Sequence, residues 1–163
     1  MPNPPVDPRP KPPSLYEWMG GEPALLKLMD RFYRNVAQDP LIAPVFAKMG
    51  PDHPKHVAAF VGEVFGGPAK YSGGHGGHVG MITHHLGKHL TQEQRARWMQ
   101  LLVQTADEIG LPDDPEFRSA FVGYLEWGSR LAVINSQPGV TPPPPESPMP
   151  KWGWGEVGGP YQP

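Results

Sequence analysis

Apolar residues along the chain recur at intervals of three and four, which is the spacing of one face of an α-helix. The pattern predicts one helix from Pro23 to about Gln38, and a second that starts near residues 52–54 and ends before Gly66-Gly67-Pro68. Their apolar stripes consist of Leu25, Met29, Phe32 and Val36, and of Val57, Phe60, Val61, Val64 and Phe65. No strand pattern of any strength accompanies them, so the chain is predicted to be all-α.

Helix-capping residues define the remaining elements. Ser14 opens a short helix that stops at Gly20-Gly21, Thr91 opens a long helix that stops at Gly110, and Asp114 caps the last helix. Residues 41–46 are predicted to form a short turn. Residues 66–80 contain seven glycines and no apolar periodicity, so they are predicted to form a long loop.

Composition divides the chain into a globular domain and two tails. The sequence contains 24 Pro and 20 Gly among 163 residues, and the prolines are concentrated at both ends. We therefore expect Pro-rich disordered tails at residues 1–13 and 137–163, around a helical domain at residues 14–136. The formal net charge is −2 without a basic cluster, which excludes a typical nucleic-acid-binding protein. The absence of Cys and of an apolar signal or membrane segment favours a cytoplasmic protein.

Seven histidines are the main candidates for chemistry, and three of them lie within six residues, at His84, His85 and His89. Neutral imidazole is a common metal ligand. A zinc or two-metal site would require HExxH or ExxH patterns, and neither occurs. His75 and His78 lie among glycines and are interpreted as loop residues. The apolar neighbours Met81, Ile82 and Leu86 instead favour a single ligand beside an apolar slot, as haem requires.

The order and spacing of several motifs resemble group II truncated haemoglobins over nearly all of residues 14–136. Phe46 follows Tyr33 by thirteen residues, and Trp98 follows His85 by thirteen. The other motifs that carry the resemblance are Gly20-Gly21, Arg31-Phe32-Tyr33, Phe60 through Gly66-Gly67-Pro68, Tyr71 and Tyr124-Leu125-Glu126.

The resemblance implies a truncated globin fold, a two-over-two helical sandwich around haem b. It implies that His85 ligates the iron, with His84 as the rival, and that Tyr33 and Trp98 donate hydrogen bonds to the bound ligand. The remaining pocket residues that it implies are Phe46, Val57, Phe60, Val61 and His53. The sequence departs from the family at Phe46, where many members carry Tyr, and at Lys88, where an aromatic residue is common. His53 precedes Pro54, which disfavours helical geometry at His53.

The resemblance also implies the function. We expect a protein that binds dioxygen and other diatomic ligands, that holds oxygen tightly, and that serves oxygen transport or redox chemistry on oxygen, nitric oxide or peroxide. The latter would make it an enzyme re-reduced by an unknown reductase. The alternative is a haem-free helical sensor or interaction module. Residues 142–145 form a polyproline ligand pattern, and Trp152, Trp154 and Tyr161 are anchors that would fold back or bind a protein partner.

Overall fold

The computed structural model describes residues 11–74 and 77–160, so most of the N-terminal tail, His75 and Tyr161 lie outside the described residues. Six helices follow one another: α1 (Leu15–Met19), α2 (Gly21–Ala37), α3 (His53–Val64), α4 (Gly77–His85), α5 (Gln92–Glu108) and α6 (Pro115–Asn135). Two short 3₁₀ turns span Ala43–Phe46 and Gly155–Val157. The described residues contain no strand, and the all-α prediction is confirmed.

The helices begin where the capping residues predict. The Ser14 hydroxyl accepts a hydrogen bond from the Glu17 amide at 3.1 Å, which caps α1. Thr91 and Gln94 form a reciprocal capping box on α5, with distances of 3.0 and 3.1 Å. The Asp114 carboxylate accepts from the Phe117 amide at 3.0 Å and caps α6. These contacts pair amides that a helix N-terminus otherwise leaves without an intrahelical partner.

The prediction of a continuous loop over residues 66–80 is wrong, because α4 already begins at Gly77. Glycine-rich sequence has low intrinsic helix propensity, so local pattern alone does not predict a helix there. The helix instead packs against α6, which supplies stabilisation from outside the segment. The loop therefore ends before Gly77, and the helix continues to His85.

Two pairs of helices form the two layers of the fold. Helix α2 packs against α3, α5 packs against α6, and the layers meet mainly where α2 contacts α5. The core between them contains Phe32, Phe65, Phe117, Phe121 and Leu102, all fully buried. None of the helices in the described ranges combines the length and apolar content needed to cross a lipid bilayer.

Two glycines are required by close approaches at the N-terminal edge of the domain. Gly20 has φ +110°, a left-handed conformation that lets α1 end and α2 begin without an intervening loop. A Cβ atom at Gly67 would lie 2.7 Å from the Gly62 carbonyl oxygen and 2.7 Å from the Tyr16 ring. The chain leaving α3 therefore packs directly on the ring of Tyr16.

The C-terminal residues Trp152 and Trp154 lie against the helical domain. The Trp152 amide donates a hydrogen bond to the Val64 carbonyl at 2.9 Å, and the Trp154 indole donates to the Pro13 carbonyl at 2.8 Å. Of the two alternatives for these aromatic anchors, the described residues therefore have the fold-back arrangement. The division of the chain into a domain at residues 14–136 and two tails stays a prediction.

Candidate haem pocket

Tyr33 of α2 contacts two other aromatic side chains, each from a different element. The Tyr33 ring is edge-on to Phe46, at a centroid distance of 5.4 Å, and to His53, at 4.9 Å. Phe46 and His53 complete the triangle at 6.0 Å. We call Tyr33, Phe46 and His53 the distal cluster. It joins α2, the first 3₁₀ turn and the first residue of α3, so the sequence-predicted residues from these elements do come together.

A hydrogen bond links the two polar members of the distal cluster. The His53 Nε2 atom lies 3.1 Å from the Tyr33 hydroxyl oxygen. Burial is the main reason that the pKa of His53 falls to about 4, and electrostatic interaction with His84, His56 and Lys88 adds to the shift. Burial also raises the pKa of Tyr33 above its ordinary value, so both groups are neutral near pH 7. Despite the following proline, His53 occupies the first turn of α3, where Pro54 is well tolerated.

Trp98 of α5 approaches this cluster through Phe32. The Phe32 ring is edge-on to Tyr33 at 4.9 Å and to Trp98 at 5.7 Å. Trp98 is half-buried and packs against the core. Its indole N–H makes no hydrogen bond with any residue of the described ranges. An indole donor held in an apolar wall without a protein partner is free to serve a bound ligand.

His85 is the last residue of α4, and its side chain is half-buried. Burial is the main reason that the pKa of His85 falls to about 4, with Lys88 and His84 contributing, while a hydrogen bond to the Met81 backbone opposes the shift. The ring is therefore neutral near pH 7, and a neutral imidazole keeps the lone pair of one ring nitrogen. That arrangement suits a metal-ligating histidine. His84, by contrast, is exposed.

His89 does not share a helix face with His85. It follows Gly87, which ends the helical segment with φ +74°, and His89 itself has φ +51°. No group of three or more His, Cys, Asp or Glu close enough to hold a metal ion occurs in residues 11–74 and 77–160. The described geometry therefore does not favour a site built from several histidines. The interpretation of His78 as a loop residue is wrong, because His78 lies in α4, and His75 lies outside the described residues.

Apolar side chains of intermediate burial supply the surface that a flat macrocycle needs. Four of them pack against the core from four different elements and keep part of their surface uncovered: Phe46, Val57, Met81 and Trp98. Phe60 and Val61 lie deeper, and Phe60 packs edge-on against Tyr71 at 5.0 Å. An apolar surface beside one neutral imidazole and two neutral hydrogen-bond donors fits haem chemically. The residues present therefore suit the group that the resemblance implies.

One pair of residues that the sequence interpretation missed connects the two donor-bearing helices. The Asp39 carboxylate, which is 7% exposed, accepts a hydrogen bond from Arg97 Nε at 2.6 Å and from the Leu41 amide at 3.1 Å. The hydrogen bond from Arg97 is the main reason that the pKa of Asp39 lies below its ordinary value. Arg97 precedes Trp98, so this bridge fixes the end of α2 to α5 beside the pocket. In the sequence, Asp39-Pro40 indicated only the end of a helix.

Comparisons with known proteins agree with this geometry. The family model described as bacterial-like globin matches residues 14–126. The group 2 truncated hemoglobin YjbI of Bacillus subtilis is 32% identical over 117 residues, which cover 72% of this chain and 86% of that protein.

Solved structures show the same likeness. The truncated oxygen-avid haemoglobin of Bacillus subtilis superposes with a TM-score of 0.66 at 31% identity, over 74% of this chain and 99% of that one. The group II truncated hemoglobin of Bacillus anthracis gives a TM-score of 0.69 at 24% identity, over 80% and 98%, which shows a shared fold.

Proposed function

This chain belongs to the bacterial-like globins, as a group II truncated haemoglobin, and we propose that it holds oxygen tightly and uses it in redox chemistry. Family membership makes it a haem-binding, oxygen-binding globin, and it does not favour the haem-free sensor or interaction module. One solved relative at 31% identity is described as oxygen-avid. The observation that carries the proposal is the hydrogen bond between the buried Tyr33 and the half-buried His53, together with a half-buried His85 whose pKa is lowered to about 4.

When bound, haem b supplies the iron at which oxygen and other diatomic ligands coordinate and change oxidation state. We infer that His85 is the protein ligand, in preference to His84. His85 is half-buried and burial is the main reason that its pKa is lowered, whereas His84 is exposed to solvent. Phe46, Val57, Phe60 and Val61 would keep water from the ligand side and leave His85 as the polar contact on the other.

The distal residues act as hydrogen-bond donors to a ligand that carries partial negative charge. If His53 is the Nε2–H tautomer, it donates to the Tyr33 oxygen and leaves the Tyr33 hydrogen free for the ligand. The unpaired Trp98 indole N–H would be the second donor. A hydrogen bond to a charged acceptor contributes ~1.5–3 kcal/mol. Since ~1.4 kcal/mol is tenfold in rate, two donors would slow oxygen release by roughly a hundredfold or more.

Slow release favours chemistry over delivery. A protein that retains oxygen has time to react with a second small molecule such as nitric oxide, and peroxide is an alternative oxidant for the same pocket. Repeated consumption of bound oxygen by nitric oxide would need one electron per cycle from outside, so that reaction would require a reductase as a partner, whereas a peroxide reaction would take its electrons from the substrate that it oxidises. Oxygen transport would instead require rapid release, which two strong donors oppose. We therefore place the redox role ahead of oxygen transport.

An absorption spectrum tests this proposal directly. The full-length protein would be titrated with haem, reduced, exposed to oxygen, and then mixed with carbon monoxide to measure oxygen dissociation. We expect a Soret band that saturates at one haem per chain, a stable oxygenated spectrum and slow dissociation. A Soret band with rapid dissociation would refute tight binding. Failure to develop the band would refute haem binding and with it the whole proposal.

A further inference from the structure

The C-terminal tail ends in a segment that crosses the helical domain, residues 149–159, which we call the strap. Over residues 151–155, exposed and half-buried positions alternate as in an extended chain. Trp152 and Trp154 pack against the core, as does Met149, whereas Lys151, Gly153 and Gly155 are exposed. Such alternation places the two indoles on the same side of the strap, and that side faces the protein. The strap then ends in the 3₁₀ turn Gly155–Val157, where Val157 is exposed.

The Trp152 ring packs on α6 beside a glycine. It lies 5.7 Å from the Tyr124 ring and 5.9 Å from the Trp127 ring, measured between centroids. The helix is open at this point because residue 123 is glycine, where an added Cβ would meet the Trp152 ring at 3.6 Å. An alanine would make ordinary van der Waals contact there, whereas a larger side chain would take the place of the ring.

The strap also completes the C-terminal end of the distal helix α3. The carbonyl groups of a helix's last turn need partners from outside the helix ladder. The Gly62 and Glu63 carbonyls are paired with the amides of Gly67 and Gly66 in the following turn. The Val64 carbonyl instead accepts from the Trp152 amide at 2.9 Å. Val64 is itself buried, so the strap pairs a polar group at the edge of the core.

Further along, the strap is tied to the start of the domain. The Trp154 indole N–H donates to the Pro13 carbonyl at 2.8 Å, and its ring is edge-on to Trp18 at 6.0 Å. At the other end, where the chain enters the strap, Glu146 and Met149 line a cavity of about 390 Å³ together with Glu63 of α3 and His78 of α4. The segment thus spans from the helices that flank the pocket to α1.

We propose that residues 149–159 are an intramolecular strap that holds the C-terminal end of α3 against α1 and α6 and thereby slows escape of the haem. The last part of this inference rests on the proposed function. Helix α3 carries Val57, Phe60 and Val61, and α4, which follows it, carries His85. Local opening at the junction of these two helices would widen the pocket between them. A strap that opposes this opening keeps the prosthetic group in place.

The chain provides its own probe of docking. Lys151 is exposed and is the only Lys or Arg after Arg130, so trypsin cleavage there releases residues 152–163. The rate of that cleavage, followed by mass spectrometry on the full-length holoprotein, reports how often the strap leaves the domain. We would compare the wild type with Gly123→Leu, which fills the Trp152 position, and with Gly123→Ala as the matched control. Trp152→Ala and Trp152→Phe give a second pair that adds no bulk to α6.

We expect Gly123→Leu and Trp152→Ala to be cleaved about tenfold faster, while Gly123→Ala and Trp152→Phe stay close to the wild type. The same two variants should lose ferric haem to an excess of apomyoglobin about tenfold faster than their controls. Equal cleavage rates in all five proteins would show that the strap does not dock as described. Faster cleavage with unchanged haem loss would refute its role in retention. If the cleavage pattern holds but no protein takes up haem, docking stands and the proposed function fails.

Discussion

The two sides of the pocket are held in place by very different amounts of protein structure. The distal cluster joins α2, α3 and a 3₁₀ turn through ring contacts of 4.9 to 6.0 Å and through the Tyr33–His53 hydrogen bond. His85, which we propose as the proximal iron ligand, ends the nine-residue helix α4, which lies between a glycine-rich segment and Gly87. Helix α4 packs chiefly on α6, whereas α2 packs on α1, α3 and α5.

This difference indicates that the two sides of the pocket have different functions. The distal donors are preorganised by protein contacts, so they suit control of a bound ligand. The proximal helix has less support, so the bond from His85 to the iron would complete it. Changes at His85 should therefore alter haem retention, and changes in the distal cluster should alter oxygen kinetics. The strap, which on our inference holds the end of α3, should affect haem retention and leave the distal donors in place. The following predictions test that division, beginning with the largest expected effect.

His85→Ala should weaken haem retention by roughly 100-fold or more, because it removes the ligand itself and not a supporting contact. The histidine-ligated absorption spectrum should be lost at the same time. His84→Ala is the matched control, and it should retain both the spectrum and the haem, since His84 is exposed. The opposite result, with the spectrum lost only in His84→Ala, would move the iron ligand to His84.

His53→Leu should raise the oxygen dissociation rate about five- to tenfold, since it removes a hydrogen bond of ~1 kcal/mol that orients the Tyr33 hydroxyl. His53→Gln should stay near the wild-type rate, because its side-chain amide can still donate to Tyr33. Haem transfer to apomyoglobin should be unchanged in both variants. If Gln and Leu raise the dissociation rate equally, His53 does not act through a hydrogen bond to Tyr33.

The smallest effect concerns the pH dependence of stability. The pKa of His53 is about 4 in the folded chain and 6.5 ordinarily, so the unfolded chain takes up this proton first as the pH falls. His53 thus stabilises the fold above pH 6.5, and its contribution is lost as the pH falls from 6.5 to 4. Discounted for the partial exposure of the ring, we expect a loss of about 1 kcal/mol.

Urea unfolding of the haem-free protein at neutral and acidic pH measures this loss. His53→Gln carries no titrating group at this position, so it should lose less unfolding free energy on acidification than the wild type. His78 and His85, whose pKa values are also lowered chiefly by burial, titrate in both proteins, so the difference between the proteins reports mainly on position 53. An identical acid response in the two proteins would mean that His53 is not held neutral by burial.

Most of the helical framework could be predicted from sequence because its signals are local. The stripes of α2 and α3 have clear helical periodicity, and the caps at Ser14, Thr91 and Asp114 act over three residues. Tyr33, Phe46 and His53 could be assigned to one pocket only because their spacing resembles that of a known family. Their mutual contacts join residues that are seven to twenty positions apart.

What sequence reasoning missed depends on contacts between distant parts of the chain. Helix α4 begins within a glycine-rich stretch because α6 packs against it, and no local pattern encodes that support. Arg97 and Asp39 are 58 positions apart, so neither residue alone signals the bridge. The Trp152 amide meets the Val64 carbonyl across an even longer separation, and tail composition alone did not predict that contact.

The oxygen dissociation rate of Tyr33→Phe is the most direct test of the central claim that a preorganised distal donor controls oxygen release. The substitution removes one hydroxyl and keeps the ring that packs on Phe46 and His53. Loss of a hydrogen bond worth ~1.5–3 kcal/mol predicts dissociation roughly ten- to a hundredfold faster. Tyr124→Phe is the matched control, since Tyr124 is a buried tyrosine that packs on Phe65 and Trp152, and its rate should not change. A Tyr33→Phe protein that releases oxygen at the wild-type rate would contradict the account.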